Sequence, residues 1–172
     1  MKKGNKNFDI EEVREFIKNS SPESIIYFGC DSKVFTKERK KDRKKGDKSL
    51  KGMAKYSTVV VIHKDGNKGA KIFGKIEDEE IKDGNMGRPF ARMYREIEKV
   101  SELVQEFEEE LIDRTFQIHI DVNKEDFGSH VAYGTAIGYI NSLFGIDPVM
   151  KNEEKKNHPW AASCAADRMG NY

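Results

Sequence analysis

Two short β-type runs that each reach an aspartate constrain this chain more than any other feature. The first is Ile25-Ile26-Tyr27-Phe28-Gly29-Cys30-Asp31, and the second is Thr115-Phe116-Gln117-Ile118-His119-Ile120-Asp121-Val122. A run as apolar as the first reads as a central strand buried on both faces, which requires helices above and below its sheet. At 172 residues the chain suits one such layered domain, with enough length to bury a core.

The other elements follow from periodicity. Ile10, Val13, Phe16 and Ile17 fall at helical spacing behind Asp9 as N-cap, and Ser20-Ser21-Pro22 ends that helix. Residues 1–24 are thus an N-terminal arm and a short helix. Tyr56–His63 predicts a second strand, Lys64–Gly69 a turn and Ala70–Ile76 a third strand, with an acidic loop over 77–88. Phe90, Met93, Ile97, Val100, Val104, Phe107 and Leu111 then mark a long amphipathic helix. After the strand at 115–122 come a helix from Gly128 to Phe144 stopped by Gly145, a short strand at Val149-Met150, and a closing helix over Trp160–Arg168. A three-strand meander followed by αβαβα predicts an α/β domain over 1–172. Its five-stranded mixed sheet has the order 3-2-1-4-5, with helices on both faces.

Charge is abundant (35% of residues, mean hydropathy −0.77) but concentrated, and the net charge of +1 conceals the asymmetry. Lys37–Lys55 holds ten Lys or Arg against three Asp or Glu, and Glu102–Asp113 is rich in glutamate. With no apolar period, 37–55 is expected to be an exposed basic loop inserted in the domain. Lys40, Lys41, Arg43, Lys44 and Lys45 are its candidates for neutralising nucleic-acid phosphates, and a merely solubilising insert is the rival reading. No apolar run approaches the roughly 20 residues of a membrane span. Cys30 and Cys164 lack CxxC spacing, and the basic residues 1–6 lead into Phe8-Asp9-Ile10-Glu11 rather than a signal-peptide core. These features predict a soluble cytoplasmic protein with reduced thiols, no membrane contact and nucleic acid, RNA or DNA, as partner.

In a 3-2-1-4-5 sheet the strands carrying Asp31 and Asp121 are parallel neighbours, so the two carboxylates emerge side by side. Glu96 sits at the edge of the long helix's apolar stripe, with Glu98 as its rival two residues on, and Asp167 lies among small residues of the closing helix. Converging carboxylates repel one another unless a cation compensates them. Hard divalent ions with oxygen ligands, Mg2+ or Mn2+, fit that need, and a pair of them would serve phosphodiester hydrolysis. Asp31, Glu96, Asp121 and Asp167 are therefore the candidate catalytic and metal-binding residues. Ser32, His119, Asn123 and His158 are candidates to support them: Ser32 and Asn123 as donors beside the ligands, His119 on the strand face of Asp121, and His158 as a loop proton shuttle. His63 and His130 lack the partner spacing of a zinc site.

The same residues carry a resemblance. Ile26-Tyr27-Phe28-Gly29-Cys30-Asp31-Ser32, the Tyr56–His63 strand, Arg95-Glu96, Ile118–Asn123 and, most distinctively, Pro159-Trp160-Ala161-Ala162-Ser163-Cys164-Ala165-Ala166-Asp167-Arg168 resemble the ribonuclease H-like family typified by small bacterial YkuK-type proteins. The resemblance implies a ribonuclease H fold with an acidic metal site on the first strand, first long helix, fourth strand and last helix, positions held here by Asp31, Glu96, Asp121 and Asp167. The long basic stretch 37–55 departs from a simple hairpin. The expected function is a metal-dependent nuclease acting on RNA, RNA–DNA hybrid or structured DNA. The alternatives are a non-catalytic nucleic-acid-binding module that uses the basic loop, and an interaction protein docking through its glutamate-rich helix.

Overall fold

The computed structural model describes residues 8–38, 50–66, 68–80, 89–123, 130–151 and 160–170. Helix α1 spans Ile10–Asn19, and the Asp9 side chain accepts a hydrogen bond from the Glu11 amide as its N-cap. Its far end is held by Arg114, whose guanidinium donates to the carbonyls of Ile17, Ser20 and Ser21. These are the carbonyls that a helix C-terminus leaves unpaired. Strands β1 (Ile25–Glu38), β2 (Leu50–His63) and β3 (Ala70–Glu80) form the meander. Helix α2 (Pro89–Gln105), strand β4 (Phe116–Asn123), helix α3 (His130–Phe144), strand β5 (Val149–Lys151) and helix α4 (Trp160–Gly170) complete the order. The sheet runs β3-β2-β1-β4-β5, the predicted order, with β1 antiparallel to β2 and parallel to β4.

Strand alternation divides the core between two faces. Ile26, Phe28 and Cys30 of β1, Val60 and Ile62 of β2, and Ile118, Ile120 and Val122 of β4 pack with apolar residues of α1, α2 and α3. Tyr27, Val59 and Val61 point the other way and pack against Ala161 and Ala165 of α4. There α4 lies directly on β1: a β-carbon on Gly29 would stand 2.4 Å from the Ala161 carbonyl carbon. The apolar stripe of α2 continues into the irregular turns after Gln105, where Phe107 and Leu111 remain buried.

Two expectations are corrected. The basic stretch is not loop throughout, because Lys37 and Glu38 end β1 and Leu50–Lys55 begin β2, paired from Glu38↔Leu50 onward. Backbone pairing continues the ladder without an apolar period, Ala54 is fully buried, and the Lys55 ammonium lies over the Phe35 ring. Residues 39–49, which include Lys40, Lys41, Arg43, Lys44 and Lys45, lie outside the described residues. Likewise Glu77–Glu80, expected in a loop, belong to β3 and pair with Met53–Tyr56. Alternation explains it: Glu77 and Glu79 face α2, where Lys99 binds both and Arg95 binds Glu79. Ion pairs thus replace the apolar contacts that sequence patterning detects.

Candidate functional site

The parallel pairing of β1 with β4 runs from Ile26↔Phe116 to Cys30↔Ile120. Asp31 and Asp121 are the next residue on each strand, and parity puts both on the α4 face at the carboxyl end of the shared ladder. Beyond this point β1 continues with β2 alone, so a crevice opens between β1 and β4 with a carboxylate on each lip. Asp121 is exposed, while Asp31 is half-buried. Burial pushes the Asp31 carboxyl up, the Asp121 charge pushes it further, and the Ser32 amide and Arg92 pull it back. Ser57, opposite Asp31 on β2, is fully buried on the same face, and its hydroxyl has no hydrogen-bond partner.

Glu96 approaches the rim from the opposite face. It is 3% exposed on α2, and the Ser32 hydroxyl and the Arg92 guanidinium (2.9 Å) both donate to its Oε1. Arg92 also donates to the Ser32 carbonyl (2.8 Å) and hydroxyl (2.6 Å), which locks the first long helix to β1. Burial pushes the Glu96 carboxyl up to about 8; Arg92 and Ser32 oppose this, and Asp31 and Asp121 add to it. Burial therefore outweighs the ion pair with Arg92. Glu98, the rival by spacing, instead accepts from Arg95 at 3.2 Å.

Asp167 lies exposed on α4, the helix on the face of Asp31 and Asp121, and its charge acts on Cys164 one turn earlier. Asp31, Asp121 and Glu96 form the electrostatically linked set; Asp167 is not among the groups acting on Asp31 or Glu96. Among the described residues, no group of three or more His, Cys, Asp or Glu side chains is arranged to hold a metal ion. The donor set at the crevice is nonetheless hard oxygen, and magnesium is commonly held by one or two carboxylates plus water and substrate phosphate. The Asp31–Asp121 pair fits that requirement.

Of the supporting candidates, Ser32 bridges Glu96 and Arg92 as just described. His119 lies below Asp121 on the same face, almost fully buried, and its Nδ1 accepts from the Ala161 amide at 3.1 Å. Its Nε2 faces Gln117 Oε1 at 3.2 Å, so the ring is neutral with its proton on Nε2, and burial lowers its pKa to about 4. His119 thus satisfies an amide in the first turn of α4. Trp160 packs edge-on against Tyr27 (4.5 Å) and His119 (5.5 Å), a packing role. Asn123 ends β4, paired with Lys151, and His158 lies outside the described residues. Sequence reasoning missed Arg92; its only signal is the four-residue spacing to Glu96, one of several such pairs on this helix.

A cavity of about 320 Å3 opens elsewhere, on the α2 face between Phe8, Thr58, Lys75, Glu77, Lys99 and Leu103. Both of its lysines are paired with Glu77, and it lies on the sheet face opposite Asp31 and Asp121. The crevice is the stronger site because unmatched carboxylates, rather than ion pairs, line it. No helix among the described residues is long and apolar enough to cross a membrane.

No curated protein and no solved structure matches the chain. A family model described as Ribonuclease H-like matches residues 46–171, a span that contains Glu96, Asp121 and Asp167, and the β1–β4 register brings Asp31 beside Asp121. With most of its length matched and a sheet of order β3-β2-β1-β4-β5, the chain belongs to the ribonuclease H-like family.

Proposed function

We propose that this protein is a nuclease that binds RNA, RNA–DNA hybrid or structured DNA at the crevice and hydrolyses its phosphodiester bonds with Mg2+ or Mn2+. The observation that carries this reading is the adjacency of Asp31 and Asp121 just past the last paired residues of two parallel strands. Ligand sites in open α/β sheets favour the carboxyl ends of strands, where neighbouring chains part. Asp31 and Asp121 would hold the metal, with Asp167 approaching from α4 on the same face. The metal would supply Lewis-acid polarisation of the phosphate and an activated water. Asp31 favours this because Asp121 raises the energy of its charged form, a strain that a bound cation relieves. Ser32 and Arg92 hold the rim in place from behind by fixing Glu96 to β1.

The test is Mn2+-dependent cleavage of labelled single-stranded RNA, RNA–DNA hybrid and branched DNA by wild type and Asp31→Asn. Cleavage of at least one substrate by wild type, reduced to background in a variant with an unchanged thermal transition, is the expected result. Full activity in Asp31→Asn overturns the site, and no cleavage of any substrate by wild type overturns the activity.

One observation favours a second reading, non-catalytic binding through the basic segment. Strands β1 and β2 run on together for seven residues beyond Asp31, about 23 Å, so residues 39–49 join the tip of an arm that projects past the crevice. Replacing 39–49 with a two-residue turn preserves the β1–β2 ladder. Under this reading the replacement abolishes polynucleotide binding while Asp31→Asn leaves it intact.

A further inference from the structure

We infer that the crevice takes a single divalent ion, and that the Arg92 guanidinium stands where a second ion would otherwise balance the carboxylates. The inference rests on the metal-site reading above and concerns how many ions that site holds. Three carboxylates influence one another at this rim, and one fixed cation is already among them. Arg92 and Asp121 are the charged groups that act on Asp31, while Arg92, Asp31 and Asp121 act on Glu96. Arg92 is held rather than free. One of its terminal nitrogens donates to Glu96 Oε1 at 2.9 Å, to the Ser32 carbonyl at 2.8 Å and to the Ser32 hydroxyl at 2.6 Å.

Glu96 is correspondingly unavailable. Both of its hydrogen bonds fall on one oxygen, it is 3% exposed, and it lies on the α2 side of the sheet while Asp31 and Asp121 face α4. A metal ligand must shed its donors and meet the ion, and Glu96 would have to give up both Ser32 and Arg92 to do so. A second dication there would also stand against a guanidinium of like charge. A guanidinium is always charged and donates in a fixed fork, so it balances carboxylates without exchanging with solvent. Asp31 and Asp121 remain as the ligands for one ion.

Mn2+ titration followed by electron paramagnetic resonance, with the metal alone and no nucleic acid, tests this on the full chain. The expected results are one Mn2+ per wild-type chain, none with Asp31→Asn, and one with Glu96→Gln at an affinity within about threefold of wild type. Arg92→Gln is expected to admit a second Mn2+, because Glu96 and Asp31 lose their fixed counter-charge. Two ions on wild type, or loss of an ion in Glu96→Gln, overturn the inference and leave the metal site standing; an unchanged count in a folded Arg92→Gln overturns it too. No ion on wild type overturns the metal site itself. If Arg92→Gln fails to fold, the wild-type and Glu96→Gln counts still decide.

Discussion

Gly29 offers the most demanding test of how the crevice is built, because α4 rests on it two residues before Asp31. A β-carbon at residue 29 meets the Ala161 carbonyl carbon at 2.4 Å, and the Ala161 oxygen and Ala162 nitrogen at 2.6 Å. Ordinary contact begins near 3.4 Å, so Gly29→Ala forces α4 back by about 1 Å. The obstructing atoms are main chain, and no side-chain rotation relieves them. Overpacking of this kind costs about 1–3 kcal/mol. Removing a glycine restricts the unfolded chain and returns about 0.4–1 kcal/mol. The net loss of about 1–2 kcal/mol lowers the Tm by roughly 2–8 °C for a domain of this size. Thermal unfolding by circular dichroism reads the loss, and hydrogen exchange at the Ala161 amide reads the retreat, since that amide donates to His119. A variant with unchanged Tm and unchanged Ala161 protection would refute the claim that backbone contact at Gly29 seats α4.

Further outcomes follow from the same contacts. His119 is held neutral with its pKa lowered from 6.5 to about 4, so its contribution is fully present above pH 6.5 and lost as pH falls towards 4. Denaturant unfolding in EDTA is expected to show about 2 kcal/mol less stability at pH 5 than at pH 7 from this residue, and His119→Gln to remove that component; an equal pH dependence in the variant refutes it. Gly134 lies in the interior of α3, where a β-carbon would meet no atom within 4 Å, so Gly134→Ala is expected to raise stability by about 0.5–1 kcal/mol in the same assay. Arg114→Ala strips three carbonyls at the end of α1 of their donor and is expected to cost about 2–3 kcal/mol, with hydrogen exchange fastest in the last turn of α1.

The strand order and the adjacency of Asp31 and Asp121 were legible because they depend on patterns with a fixed period. Apolar spacing identified α1 and α2, and the β1–β4 register needs only strand order and parity. The extensions of β1, β2 and β3 were hidden because charged residues build them. In Glu77–Glu80 the alternation is between carboxylates that meet Lys99 and Arg95 and others that do not, which a hydropathy pattern reads as uniform. Arg92 was hidden for a related reason. Its spacing to Glu96 matches that of an ordinary surface pair, and only the burial of Glu96 beside Ser32 separates it from the exposed pairs along α2. That burial follows in turn from strand geometry. Asp31 and Ser32 are consecutive, so one faces α4 and the other faces α2. A single step along β1 therefore ties the open carboxylate pair on one side of the sheet to the closed Ser32–Glu96–Arg92 contact on the other. A change at Arg92 should accordingly be felt at Asp31 through the main chain as well as through charge, whereas a change at Asp121 reaches Asp31 through charge alone, because β1–β4 pairing ends one residue earlier.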